Sequence, residues 1–223
     1  MKKTAILFSF VSMLLTSTVS AGVVMAPSDP SSPNDYHAKI GGTGVINTPH
    51  AIALDKGGFS ISYHDLTGSQ TLTQANIGIG GNLEIGVTSF NLNKDDEATY
   101  GNLKYQFLKE TIATPALAIG VVDISDKYGR NAYIVGSKNL PVIDTKVSIG
   151  MYQKGDNKAF ASVEKTFTPL LGSKNLFPST TLKVEYDGED TNFGASIATV
   201  PGLKIDIGSR NGHGYAGATY VFN

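Results

Sequence analysis

Gly214-Tyr215-Ala216-Gly217-Ala218-Thr219-Tyr220-Val221-Phe222-Asn223 closes the chain, and its alternation decides the fold. Successive side chains of an extended strand point to opposite sides. Ala216, Ala218, Tyr220 and Phe222 therefore share one face, while Gly217 and Thr219 fall on the other. Tyr220 and Phe222 form the outward aromatic row of a final strand and are the candidate assembly-signal residues, with Asn223 one position beyond.

The same period runs back to Phe59. Phe59, Ile61 and Tyr63 alternate with Ser60, Ser62 and His64, and Leu83, Ile85 and Val87 with Glu84, Gly86 and Thr88. Leu103, Tyr105 and Phe107 oppose Asn102, Lys104 and Gln106, and Leu203, Ile205 and Ile207 oppose Lys204, Asp206 and Gly208. Around 132–138 apolar residues occupy both faces, so that strand has no readable phase. The pattern predicts an all-β chain, a single antiparallel transmembrane β-barrel of about twelve strands (about ten to fourteen), each near the length at which a tilted strand crosses a bilayer.

The N-terminus reads differently. Lys2 and Lys3, an apolar run from Ala5 to Leu15 and the small-x-small ending Val19-Ser20-Ala21 form a secretion signal over residues 1–21. The run is too short for a spanning helix, which needs roughly 20 apolar residues. Residues 22–57 are a leader without the strand rhythm, marked by Pro27, Pro30 and Pro33, and residues 58–223 are the barrel. With 0 cysteines, thiol and disulfide chemistry are absent from an exported chain. A net charge of −1 with no block of like charge gives nucleic acid no footing. The implied location is the outer membrane of a diderm bacterium, with outer-membrane lipid and the barrel-assembly machinery as partners.

Connections between strands alternate in kind. One set is polar and charged, at 67–71, 93–97, 125–130, 155–158, 188–191 and 211–213; the other carries glycine, proline and apolar residues, at 80–82, 109–115, 140–144, 169–178 and 200–202. Two ends of a barrel have this look, and an even strand count puts both termini on the periplasmic side. Lys165 interrupts the outward apolar phase near that side, where its amine is expected to reach the headgroups.

If the apolar phase faces outward, the lumen receives Glu84, Lys104, Lys146, Glu164, Lys183, Glu185, Lys204, Asp206 and Arg210. Such a mixture either pairs across strands and fills the interior or lines a watered pore. The Lys183/Glu185 and Lys204/Asp206 alternations are ladder candidates. Inward glycines leave volume that water or the leader must occupy. The candidate plug is 41–49, built on Gly41, Gly42, Gly44, Thr48 and Pro49, where glycine permits tight backbone and Pro49 biases Thr48 to extended geometry.

No catalytic, cofactor or metal constellation emerges. The histidines are His37, His50, His64 and His213, none lies two positions before a serine, and His64 and Asp65 point to opposite faces. Asp95, Asp96 and Glu97 read as a solvated loop, and 41–44 lacks the spacing and lysine of a phosphate loop. The chain is expected to be no enzyme and to need no cofactor.

Gly41-Gly42-Thr43-Gly44-Val45-Ile46-Asn47-Thr48-Pro49-His50-Ala51, then Gly58-Phe59-Ser60-Ile61-Ser62-Tyr63 and Asn82-Leu83-Glu84-Ile85-Gly86-Val87, together resemble the start of YjbH-like outer-membrane proteins. The family commonly has a smaller polar residue where this chain has His50. Larger members are associated with exopolysaccharide export, so the resemblance implies an envelope role near polysaccharide secretion and an envelope or export partner. Two functional expectations follow: a narrow pore or transport accessory whose lumen 41–49 enters, and a filled structural barrel that docks a periplasmic partner through 169–178. An outer-membrane hydrolase is the third candidate.

Overall fold

The computed structural model describes residues 40–66, 70–93, 96–127, 129–153, 157–167 and 179–222. The expected secretion signal, most of the leader and the connection at 169–178 fall outside them. Strands run in chain order as β1 (Phe59–Asp65), β2 (Thr71–Gly80), β3 (Leu83–Asn93), β4 (Asp96–Leu108), β5 (Ala116–Val122) and β6 (Asn131–Leu140). They continue as β7 (Thr145–Gln153), β8 (Lys158–Phe167), β9 (Thr180–Tyr186), β10 (Thr191–Val200), β11 (Leu203–Arg210) and β12 (His213–Phe222). Each pairs antiparallel with its sequence neighbours, and β1 pairs with β12, so the twelve strands form a closed barrel. Closure leaves no unpaired edge, which a sheet this size otherwise has to protect.

Register at the seam joins Phe59 to Phe222 and Asp65 to Ala216, so the start of β1 and the end of β12 share one end of the barrel, here the terminal end. The alternation is obeyed around the wall. Ile61, Tyr63, Ile85, Val87, Ile205 and Ile207 are exposed on the outside, whereas Ser60, Ser62, His64, Glu84, Lys204 and Asp206 are buried inside. Phe222 and Tyr220 lie outward, their rings 4.5 Å apart, and Phe59 meets Phe222 at 5.6 Å across the seam.

Two details depart from the sequence expectation, and a third resolves what it left open. Asn93 and Asp96 pair within β3 and β4, so the acidic stretch at 96–97 belongs to a strand and not to the loop; Glu97 accepts a hydrogen bond from Ser89 at 2.6 Å. Lys165 is buried. Its amine folds onto the Ile143 carbonyl of the short 3₁₀ turn Pro141–Ile143, which also accepts the Thr145 hydroxyl at 2.9 Å, and lies 5.7 Å from the Phe167 ring centroid, because a turn carbonyl with a second lone pair to offer is a nearer partner than a headgroup. The ambiguous strand resolves as β6 with Tyr133, Val135 and Ser137 inward and Ile134 outward.

That phase was unreadable because part of the lumen is apolar. Tyr133, Val135, Tyr152, Phe160, Ala116 and Ala118 form an interior cluster with Ala51 of the leader. Space for the rings comes from glycine directly across the sheet: Gly120 faces Tyr133, Gly150 faces Phe160, Gly208 faces Tyr215 and Gly217 faces His64. A methyl group built on Gly120 would sit 2.3 Å from the Tyr133 ring, and one on Gly150 would sit 2.3 Å from that of Phe160. Large inward side chains therefore lie flat over glycine backbone, which fills a narrow interior without overpacking.

Candidate functional site: the plugged lumen

Residues 41–54 occupy the lumen, and 41–51 are buried throughout. Their path is set by backbone and turn chemistry. Gly41 has φ +127° and would clash with the Asn102 side chain, 2.5 Å from an added methyl, so only glycine fits there. Gly44 and Pro49 pair as an isolated antiparallel bridge, and the Val45 N–H donates to the Thr48 carbonyl at 2.8 Å, closing a tight turn. Past Leu54, the Gly58 N–H bonds the Asp55 carbonyl at 2.9 Å, while Gly57 and Gly58 hydrogen-bond Gly78 on β2 at 2.8 and 2.9 Å. The plug is thus tied to the barrel wall just before β1 begins.

Two glutamates hold it. Near the terminal end, Glu84 on β3 accepts the Thr43 N–H at 2.9 Å, the Thr43 hydroxyl at 2.8 Å and the Leu54 N–H at 3.1 Å. Lys104 on β4 lies 3.8 Å from Glu84 and donates to the Thr43 carbonyl at 2.8 Å, so the pair grips the amide, hydroxyl and carbonyl of one residue. Toward the opposite end, Glu185 on β9 accepts three successive amides of the turn, Ile46 at 3.0 Å, Asn47 at 2.6 Å and Thr48 at 3.1 Å. The Thr48 hydroxyl adds a fourth bond at 2.8 Å and Asn192 a fifth at 2.9 Å. Consecutive N–H groups of a turn make an anion cradle, and Glu185 fills it from the wall.

Asn47, at the turn's tip, reaches the far rim. Its side-chain amide donates to Asp187 at 2.6 Å and to Asn211 at 2.9 Å, residues of the turns after β9 and β11, and Arg210 donates to its oxygen. Tyr152 donates to the Asn47 carbonyl at 3.2 Å, Tyr100 to that of Ile40 at 3.0 Å, and the Ala51 N–H donates to Ser137 at 2.8 Å. Burial lifts Asp187 less than its hydrogen bonds lower it: Asn47, Asn192 and the Glu189 and Asp190 amides hold the carboxyl below the ordinary range. Val45 and Ile46 complete the seal by packing with Leu66, Leu72 and Tyr215.

The remaining lumen charges are matched along the wall. Lys146 stands 3.8 Å from Glu164, and Lys183 stands 2.9 Å from Asp206. The second pair bridges β9 and β11 over the intervening β10, where Gly194 lies opposite Lys183 and Ser196 donates to Asp206. His64 Nε2 is 3.5 Å from the same carboxylate. Lys204 is buried on β11, and Arg210 is half-buried at the far rim.

The structure thus brings Gly41, Gly42, Gly44, Thr48 and Pro49 into the lumen beside Glu84, Lys104 and Glu185. Among the described residues there is no group of histidines and acids that could hold a metal ion. Sequence reasoning did not single out Asn47, Asp187, Asn192 and Asn211, or the inward tyrosines; a tyrosine on the polar phase of one strand with a glycine on the next was the available signal.

Comparison with known proteins adds the following. The family model described as "Exopolysaccharide biosynthesis protein YbjH" matches residues 36–175, well over half of the chain. None of the curated proteins matches. Among solved structures, a multiply substituted mutant of the Rh. blastica porin is 12% identical with a TM-score of 0.36, over 70% of this chain and 57% of that one. A structure described as "Asymmetric conductivity of engineered proteins" is also 12% identical with a TM-score of 0.36, over 85% of this chain and 72% of that one. The chain thus spans little more than half the length of the porin it is similar to.

Proposed function

Because the chain belongs to the YjbH family of exopolysaccharide biosynthesis proteins, we propose that it is a non-enzymatic outer-membrane β-barrel, held shut by residues 41–54, that acts as an accessory to exopolysaccharide passage through the envelope. The observation that carries this reading is the plug itself, buried along the lumen and gripped by Glu84 and Glu185. A wall with Ile, Val, Tyr and Phe outside and charged pairs inside suits lipid around it. Under this reading the terminal end is periplasmic, and the Asn47–Asp187–Asn211 rim faces outward. Tyr220 and Phe222 offer the aromatic row that barrel-assembly machinery reads. The non-enzymatic assignment is supported by the burial of His50 and His64 within the filled lumen.

One observation favours a second reading. The apolar cluster of Ala51, Tyr133, Val135, Tyr152 and Phe160 is a packed core shared by plug and wall, as in a permanently filled structural barrel that docks a periplasmic partner. Cells lacking the protein distinguish the two. The accessory reading expects less polysaccharide in the medium, restored by the intact chain and altered by Glu84→Ala/Glu185→Ala. Unchanged release in the null strain overturns it.

A further inference from the structure

His50 sits inside the plug with 0% exposure, and neither ring nitrogen has a hydrogen-bond partner. A buried polar group left in that condition costs stability, and a residue without the imidazole could occupy the position at less cost. The charged groups that act on it are Lys104 from β4 and Lys146 from β7. Their own partners are Glu84 on β3 and Glu164 on β8, each 3.8 Å away. The ring therefore sits in the field of two ammonium groups, each of which has a carboxylate of its own at ion-pair distance.

We propose that His50 is an acid-sensitive release for the plug, docking as neutral imidazole and driving residues 41–54 out of the lumen when it takes up a proton. This rests on the reading of 41–54 as the closure of the lumen. A third cation in the field of Lys104 and Lys146 would be dry and repelled by both. Burial, then the Lys104 and Lys146 charges, hold the ring's proton affinity well below its ordinary value of 6.5, and contacts with the His50 and Ile52 backbone, too poorly formed to count as hydrogen bonds, oppose that shift only in part. The sign follows. Above 6.5 the ring is neutral whether docked or released, so docking is strongest. As pH falls below 6.5 the released plug binds the proton first, and docking weakens by up to about tenfold per pH unit.

The chain has 0 cysteines, so Val45→Cys, at a buried plug position, gives the full-length protein a single reporter. Maleimide labelling is followed in detergent from pH 7.5 to 5.5, each rate divided by that of the denatured chain at the same pH. The expected result is slow labelling at pH 7.5 that rises several-fold below 6.5, and a flat profile when His50→Gln is added. An identical rise in both chains, or none in either, overturns the role of His50. Fast labelling at pH 7.5 in both contradicts closure itself, which keeps the two failures apart. Amide exchange at 46–48 in the cysteine-free protein, corrected for intrinsic rates, gives the same comparison if Val45→Cys does not fold.

Discussion

The Asn47 N–H donates to Glu185 at 2.6 Å across 138 positions of sequence, joining a segment that precedes the first strand to the ninth. With the Ile46 and Thr48 amides on the same carboxylate, this contact makes the plug part of the barrel's interior. Glu185→Ala leaves those donors without their acceptor, at roughly 1–3 kcal/mol for each that water does not reach. Hydrogen exchange at 46–48 is expected to accelerate by about a hundredfold while wall amides stay protected, since local opening is read at the amides released. Equal protection in mutant and parent would remove Glu185 from the latch.

The glycine and aromatic pairs yield a contrast within one sheet. Gly120→Ala places its methyl 2.3 Å from the Tyr133 ring and 2.6 Å from the Leu103 carbonyl, whereas Gly136→Ala meets the flexible end of Leu117 at 3.1 Å. The first is expected to lower stability by about 1–3 kcal/mol, the usual cost of overpacking, and the second by much less. Urea midpoints of the refolded variants measure both.

Assembly depends on the outward row of β12. Phe222→Ala removes the ring that meets Tyr220 at 4.5 Å and Phe59 at 5.6 Å. Heat-modifiable, folded barrel in cell membranes should fall several-fold, and a normal folded fraction would deny Phe222 an assembly role.

Acid should also act at the rim, in a separate window. Asp187 titrates below its ordinary 3.8 in the folded protein. A lowered carboxyl gives stability that is fully present above the unfolded value and is lost as pH falls through the folded one. Exchange protection of the Asn47 side-chain amide should therefore hold down to about pH 4 and fail below it, and Asp187→Asn should abolish that step. A step at pH 6 to 6.5 would belong to His50 instead.

Much of the wall was legible because a two-residue period is hard to mistake when one face is apolar. Phe59 to His64, Leu83 to Thr88 and Leu203 to Gly208 all fold with the predicted faces, and the predicted strand number matches the twelve found. The β6 phase was hidden because Tyr133 and Val135 pack on plug residue Ala51, a contact that a strand's own pattern does not record. The Lys183–Asp206 pair crosses an intervening strand, so no neighbour rule could pair them. The latch was the least legible feature. Thr43 and Thr48 find Glu84 and Glu185 only once the leader has turned back into a closed barrel, and no local propensity encodes that long-range meeting.

Single-channel recording in planar bilayers at neutral pH tests the closure most directly, comparing the intact protein with a variant lacking residues 22–49. The account predicts a silent intact barrel and measurable conductance once the segment is gone. Steady conductance from the intact protein, equal to that of the deletion variant, would contradict it.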